Sequence, residues 1–289
     1  MYYKTKHYCS STVDFPTISV TGKGCALRCK HCGGLVLDTM YPATTPDALL
    51  RLCTQLQRKG ATGCLISGGC LPNGTVPLGN FIDTISRVKR ELGLTVFVHT
   101  GIIDVPTAES LKEVGVDAAL IDIIGSNETI REIYNLDISI EDYSKSLNAL
   151  DEAEIDFVPH VIVGLHYGRL KGELHALQMI SKYKPSALVI IAFMPIRRTR
   201  MENVKPPTPI DMAKVVAAGR LEFPKTPLVL GCMRAKDKYR TETEILTIKA
   251  GVDAIAFPTE EAVQFAESLG YKVSFSSHCC AQIYADMRA

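Results

Sequence analysis

The chain has 289 residues, 46% of them hydrophobic, and its 32 basic and 31 acidic side chains leave a net charge of +1. That balance excludes a nucleic-acid binder working through basic excess. No apolar run approaches the ~18 residues of a bilayer span, and the opening MYYKTKHYCSSTVDF lacks the apolar stretch of a secretory leader. The expectation is a cytoplasmic protein with neither nucleic acid nor membrane as a partner. Ten cysteines are many for such a chain, and in a reducing compartment they serve as metal ligands or redox groups more often than as disulfides.

Taken in chain order, short β-branched runs alternate with helical stretches. Strands are expected at Thr17–Gly22, Gly63–Gly68, Thr95–Gly101, Ala118–Gly125, Phe157–Leu165, Ala187–Met194, Leu228–Cys232 and Ala254–Phe257. Each run is apolar on both faces, as in a strand buried on two sides. Between them, Thr45–Pro46–Asp47 starts a helix with a cap, an N1 proline and an early acid, and Gly60 closes it. Thr208–Pro209 with Asp211 repeats the pattern, and two further helices end near Gly115 and Gly270. Eight β–α units in one chain of this length predict a TIM-type (βα)8 barrel, complete or nearly so, with a doubly wound open sheet as the alternative. The whole chain, 1–289, reads as one domain, with an N-terminal arm over 1–16. The tail over 271–289 reads as an extra strand and a short helix packed on one barrel end.

The first strand leads into Gly24–Cys25–Ala26–Leu27–Arg28–Cys29–Lys30–His31–Cys32–Gly33–Gly34, a C-x3-C-x2-C pattern. Such spacing lets one loop put three thiolates on three corners of an iron–sulfur cubane and leaves the fourth iron open for a ligand. Its place also fits, because the active sites of α/β barrels lie on loops after strand C-termini. The competing reading is a structural zinc knuckle with His31 as fourth ligand.

A C-x3-C-x2-C loop directly after the first strand resembles the signature of the radical S-adenosylmethionine (SAM) superfamily. The resemblance implies a [4Fe–4S] cluster on Cys25, Cys29 and Cys32, with the amino and carboxylate groups of SAM on the fourth iron. It implies that His31 lies against the adenine. It also implies that Gly68 and Gly69, in Ser67–Gly68–Gly69–Cys70, bind the SAM amino group through backbone, although the family's usual glutamate is here Cys70. Asp122 is expensive to bury unpartnered; it either bonds backbone at the strand rim or, by the resemblance, takes a ribose hydroxyl. His99 is either a core histidine or a site residue. Strand Pro159–Gly168 is similar to the family strand that packs on adenine, with Gly164 giving the base close approach. His160 and His166 within it stay open. Arg197, Arg198, Thr199 and Arg200 form either a solvated loop or an anchor for a carboxylate or peptide.

The second half, from Val229 to Ala256, resembles biotin synthase-like proteins, a group that includes sulfur-inserting enzymes with a second, sacrificial iron–sulfur cluster. Cys53 and Cys64 read as small core hydrophobes. Cys9, Cys232, Cys279 and Cys280 would make four thiolates for a second cluster, with Cys70 the substitute for Cys9. Redox-inert thiols or a zinc clip are the other readings. The chain lacks the cysteine-rich extension and Arg–Ser–Ser–Tyr segment of the one-component lipoyl synthase, so the similarity runs to a subunit of the two-component type. That implies sulfur insertion into a protein-bound octanoyl chain, with an octanoylated carrier protein, a second radical SAM subunit and a reductant protein as partners. Other enzymes of the same group, such as mutases, methylases and C–C bond formers, are the alternative; a single-cluster electron-transfer or scaffold protein is the non-enzyme one.

Overall fold

A computed structural model describes residues 2–3, 14–236 and 238–287. In chain order the elements are β1 (Tyr2–Tyr3), β2 (Thr17–Ser19), β3 (Tyr41–Pro42), α1 (Pro46–Arg58), β4 (Gly63–Ser67), α2 (Ile82–Leu92), β5 (Thr95–His99), α3 (Val105–Glu113), β6 (Ala118–Asp122), α4 (Asn127–Tyr134), α5 (Ile140–Glu152) and β7 (Phe157–Val163). They continue as α6 (Glu173–Ile180), β8 (Leu188–Ala192), α7 (Pro209–Glu222), β9 (Leu228–Leu230), α8 (Arg240–Lys249), β10 (Ala254–Ala256), α9 (Glu260–Ser268), β11 (Phe275–Ser276) and α10 (Ile283–Asp286). Every strand expected from the sequence is present, each within its expected span. The described chain divides into two compact units.

The first unit comprises Lys6–Ile121 and Ile130–Phe157. Its strands run parallel in the order β3-β2-β4-β5-β6. Parallel strands covered by helices carry apolar residues on both faces: Ile18, Ile66, Val96, Phe97 and Val98 are all fully buried. α1 packs on α2 and α3 on α5. The Thr45 hydroxyl accepts from the Ala48 amide at 3.2 Å, as the cap reading of α1 requires, and Gly60 follows the helix with φ of 95°. Cys53 and Cys64 are buried against each other, with burial and the Cys53 thiol both raising the Cys64 thiol. They are core residues, as expected.

The second unit comprises Met1–Thr5, Asp122–Thr129 and Val158–Ala289. Its parallel order is β7-β8-β9-β10-β1-β11. β1 thus fills the gap between β10 and the tail strand β11, pairing Tyr2 with both Ile255 and Phe275. The tail does form a strand and a short helix, as its sequence suggests. α6, α7, α8 and α9 pack in succession. α7 opens with a reciprocal capping box: the Asp211 amide donates to Thr208 Oγ1 at 3.1 Å, and the Thr208 amide donates to Asp211 Oδ2 at 3.2 Å. Among the described residues no helix is long and apolar enough to cross a membrane.

Thr208→Ala removes one half of that box on an exposed helix start. The expected cost is about 1 kcal/mol of stability, measured as a lower urea midpoint with an unchanged slope.

Candidate functional site

In the first unit all strands end on one edge, and the cysteine loop springs from the end of β2. Ser19 turns the chain there: its hydroxyl donates to the Gly22 carbonyl at 2.7 Å, and its own carbonyl accepts from Ala43 at 2.9 Å. The loop then coils tightly, with the Gly33 amide on the Cys29 carbonyl at 2.7 Å and the Leu35 amide on the Cys32 carbonyl at 2.8 Å. Gly33 and Gly34 take positive φ, and so does Arg28 at 46°. Cys29 and Cys32 are buried and Cys25 is half-buried.

The thiols of Cys29 and Cys32, with the His31 ring, lie within 4.8 Å of one another. The Cys29 thiol hydrogen-bonds to Cys32. That bond, helped by His31 and the Gly34 amide and opposed by burial, brings the Cys32 thiol down to about 4, while the Cys29 thiol is pushed up. Cys25 and Cys70 add to the negative field at Cys29. His31 Nδ1 is buried without a hydrogen-bond partner, although buried polar atoms are nearly always satisfied. Three soft donors and an orphaned ring nitrogen fit a thiolate-bound iron–sulfur cluster with a polar ligand beside it.

Two features of this site escape sequence reasoning. The first is the reason for the glycines after β4. A Cβ on Gly69 would sit 2.0 Å from the Gly24 carbonyl oxygen and 2.6 Å from Cys25 Cβ. Gly69 therefore permits backbone contact between its turn and the cysteine loop. Its amide donates to Thr21 Oγ1 at 2.7 Å, and the Ala26 amide donates to the Cys70 carbonyl at 2.8 Å. A Cβ on Gly68 would meet the Thr21 side chain at 3.1 Å. Cys70, the residue that replaces the family's glutamate, stands with the first cysteine loop. The second feature is a brace from the C-terminal end of α4. Asn135 Nδ2 donates to the carbonyls of Leu27 and Arg28 at 3.0 and 3.1 Å, the Lys30 amide donates to Ile133 at 2.7 Å, and the Cys29 thiol donates to the Tyr134 carbonyl at 3.5 Å. The Tyr134 ring stands 5.2 Å from His31. Asn135 holds φ of 53°, a conformation asparagine tolerates; that was the one available signal.

In the second unit, Asp122 is the half-buried last residue of β6. Gly164 follows β7 with φ of 74°, and a Cβ there would meet the Pro207 ring at 2.8 Å. Its amide donates to Glu173 at 2.8 Å, and Glu173 also accepts from the Lys171 amide at 2.5 Å. Burial pushes the Glu173 carboxyl up against the pull of those amides. His160 is buried with Nδ1 on the Val158 carbonyl at 3.1 Å, and His166 faces Thr129 and Glu128. His99 ends β5, in the first unit, and is half-buried. Arg197, Arg198 and Arg200 are exposed, whereas Thr199 is buried and hydrogen-bonded to Ile196.

The second unit also brings cysteines together. Cys232, just past β9, hydrogen-bonds to Cys280, which in turn pairs with Cys279. The Cys280 bond and burial raise the Cys232 thiol, opposed by the nearby Arg234 cation. Cys9 lies outside the described residues.

Comparison with known proteins agrees with this geometry. The family profile of the radical SAM superfamily matches residues 19–168, more than half of the chain. Biotin synthase of Hyphomonas neptunium is 24% identical over 265 residues, covering 87% of this chain and 79% of that protein. Among solved structures, HydG, a maturase of the [FeFe]-hydrogenase, superposes with a TM-score of 0.67 at 18% identity over 95% of this chain and 66% of its own. Methylornithine synthase (PylB) gives 0.60 at 16% identity over 98% and 87%. These likenesses show the fold class, parallel α/β of the TIM-barrel type.

Gly69→Ala should force the glycine turn and the cysteine loop apart. The expected result is a folded protein by circular dichroism whose iron content after reconstitution falls well below that of the unaltered chain. Asn135→Ala, which removes two bonds to the same loop, should speed loss of iron to a chelator.

Proposed function

The chain belongs to the radical SAM superfamily, and from that premise we propose that Cys25, Cys29 and Cys32 hold the SAM-cleaving cluster of an enzyme that inserts sulfur at an unactivated C–H carbon. The observation that carries the site is the convergence of the Cys29 and Cys32 thiols beside the unpartnered His31 nitrogen, with the charge of Cys25 also felt at Cys29. These cysteines would hold a [4Fe–4S] cluster, which would supply the one electron that cleaves SAM to methionine and a 5′-deoxyadenosyl radical. The chain's own residues bind and orient. Tight turns and the Ile133–Asn135 brace hold the thiols in place; His31 stands against the adenine; Gly68 and Gly69 receive the amino group by backbone. Asp122 accepts from the ribose hydroxyls, as a carboxylate does from a diol, and Gly164 lies along the base.

Two observations support sulfur insertion. The curated relatives are biotin synthases, and three of the cysteines left over from the first loop gather around the end of β9. In this reading Cys232, Cys279 and Cys280, with Cys9, hold a second iron–sulfur cluster that supplies the sulfur. The substrate is an octanoyl chain on a carrier-protein lysine, and the partners are that octanoylated carrier, a second radical SAM subunit of a split lipoyl synthase and a protein reductant.

Anaerobic reconstitution tests both levels. Two cubanes predict about eight irons per chain, and one predicts about four. Dithionite and SAM should give 5′-deoxyadenosine, and the Cys25→Ala, Cys29→Ala, Cys32→Ala variant should give none; cleavage surviving in that variant removes the site. An octanoyl-lysine peptide should gain sulfur. Four irons with SAM cleavage and no thiolated product would make the protein a mutase, methylase or C–C bond-forming member instead.

A further inference from the structure

The tail that carries Cys279 and Cys280 is organised around a histidine. Ser276 Oγ donates to Asp286 Oδ2 at 2.9 Å, and the His278 amide donates to Ser276 Oγ at 3.2 Å. His278 Nδ1 stands 3.1 Å from Asp286 Oδ1, with Gln282 Nε2 3.3 Å away on the same side of the ring. The Asp286 side chain is only 13% exposed, against 38% for His278. With the Gln282 amide turned so that its otherwise unpartnered Oε1 faces the ring, Nδ1 carries the proton, donates to the largely buried Asp286 carboxylate, and leaves the lone pair on Nε2. Metal-ligating histidines have this arrangement, their second nitrogen donating to a carboxylate. The next two residues are cysteines, and Cys280 meets Cys232 from the loop after β9.

The charge around Cys232 also calls for an anion. Arg234 is 2% exposed; its Nη1 donates to the Gly231 carbonyl at 2.7 Å and its Nη2 to Glu244 at 2.5 Å. Arg240 Nε shares the same Glu244 oxygen at 3.1 Å. Two guanidinium groups thus share one buried carboxylate, and Arg234 Nε is buried with no hydrogen-bond partner. The excess positive charge stands next to Cys232, where thiolates balance it.

We propose that His278, oriented by Asp286, is the fourth protein ligand of a metal centre formed with Cys232, Cys279 and Cys280, and that the centre takes an iron–sulfur cluster. The proposal rests on the sulfur-insertion reading for the identity of the metal group, and it replaces Cys9 in the ligand set. The segment 278–280 then supplies three donors and the loop after β9 the fourth.

The test uses the full chain with Cys25, Cys29 and Cys32 replaced by Ala, so that the remaining iron belongs to the tail. It is reconstituted anaerobically with iron and sulfide, reduced with dithionite, and read by iron analysis and by pulsed EPR with and without ¹⁵N-histidine. About four irons per chain and a directly bound histidine nitrogen are expected. That coupling should vanish in His278→Ala and persist in Cys9→Ala. Asp286→Asn should retain the coupling but weaken iron affinity by about 10–100-fold. The ¹⁵N-histidine comparison on the unaltered chain without SAM gives the same readout if the triple variant does not fold. A tail cluster with no histidine coupling, or with a coupling that survives His278→Ala, overturns the His278 assignment and leaves sulfur insertion standing. A SAM-cleaving protein with no tail iron at all overturns both.

Discussion

Three thiolates on one short loop repel one another, and the first unit is built to hold them together despite that. The holding is done by backbone. The loop's own turns, the amide of Ala26 on Cys70, and the Asn135 and Ile133 contacts all act on main-chain atoms of the loop. None of these bonds uses up a cysteine lone pair. The Cys29 thiol also donates weakly to the Tyr134 carbonyl, a bond that a metal replaces without disturbing the brace. The pair is unequal: the Cys29–Cys32 hydrogen bond brings Cys32 down to about 4 and pushes Cys29 up, with burial and the charges of Cys32, Cys25 and Cys70 adding to the rise at Cys29. A cation or cluster removes that inequality by letting all the thiols ionise, so binding metal also relieves the loop.

The same constraint explains the glycines. A cysteine loop that must close over a metal needs a flat wall behind it, and Gly69 gives a wall of bare backbone, where a single methyl group would strike the Gly24 carbonyl. Thr21 fastens that wall by accepting the Gly69 amide. Sequence, turn, packing and site are therefore linked through one hydrogen atom in place of a side chain.

Strands were legible because their signal is dense: Ile66, Val98 and Ile121 lie in apolar runs that no helix period fits. The short β1 and β3 were not. Each is two residues long, and Tyr41 and Pro42 are exposed, so neither carries a hydrophobic pattern. The cysteine spacing was legible because one loop contains it all. The Asn135 brace was not, because its partners lie 107 and 108 residues away in sequence and asparagine after a helix reads only as a C-terminal cap. The meeting of Cys232 with Cys280 was foreseeable as a surplus of cysteines. The role of Asp286 was not, since an acid in a polar tail reads as solvated until the turn at 276–278 brings His278 back onto it.

The two cysteine groups differ in how their charge is met, and that difference has a chemical consequence. At the first loop the cations are on the loop itself, Arg28 exposed and Lys30 half-buried, and the His31 imidazole and the Gly34 amide act on Cys32. At the end of β9 a buried guanidinium, only partly neutralised by the Glu244 it shares with Arg240, stands against the peptide that precedes Cys232. Fixed positive charge stabilises the more reduced, more negative form of a cluster, and histidine in place of a thiolate removes a further negative charge; both raise the reduction potential. A tail centre with this surrounding would therefore accept an electron more readily than the same centre without Arg234 and with a fourth thiolate in place of His278.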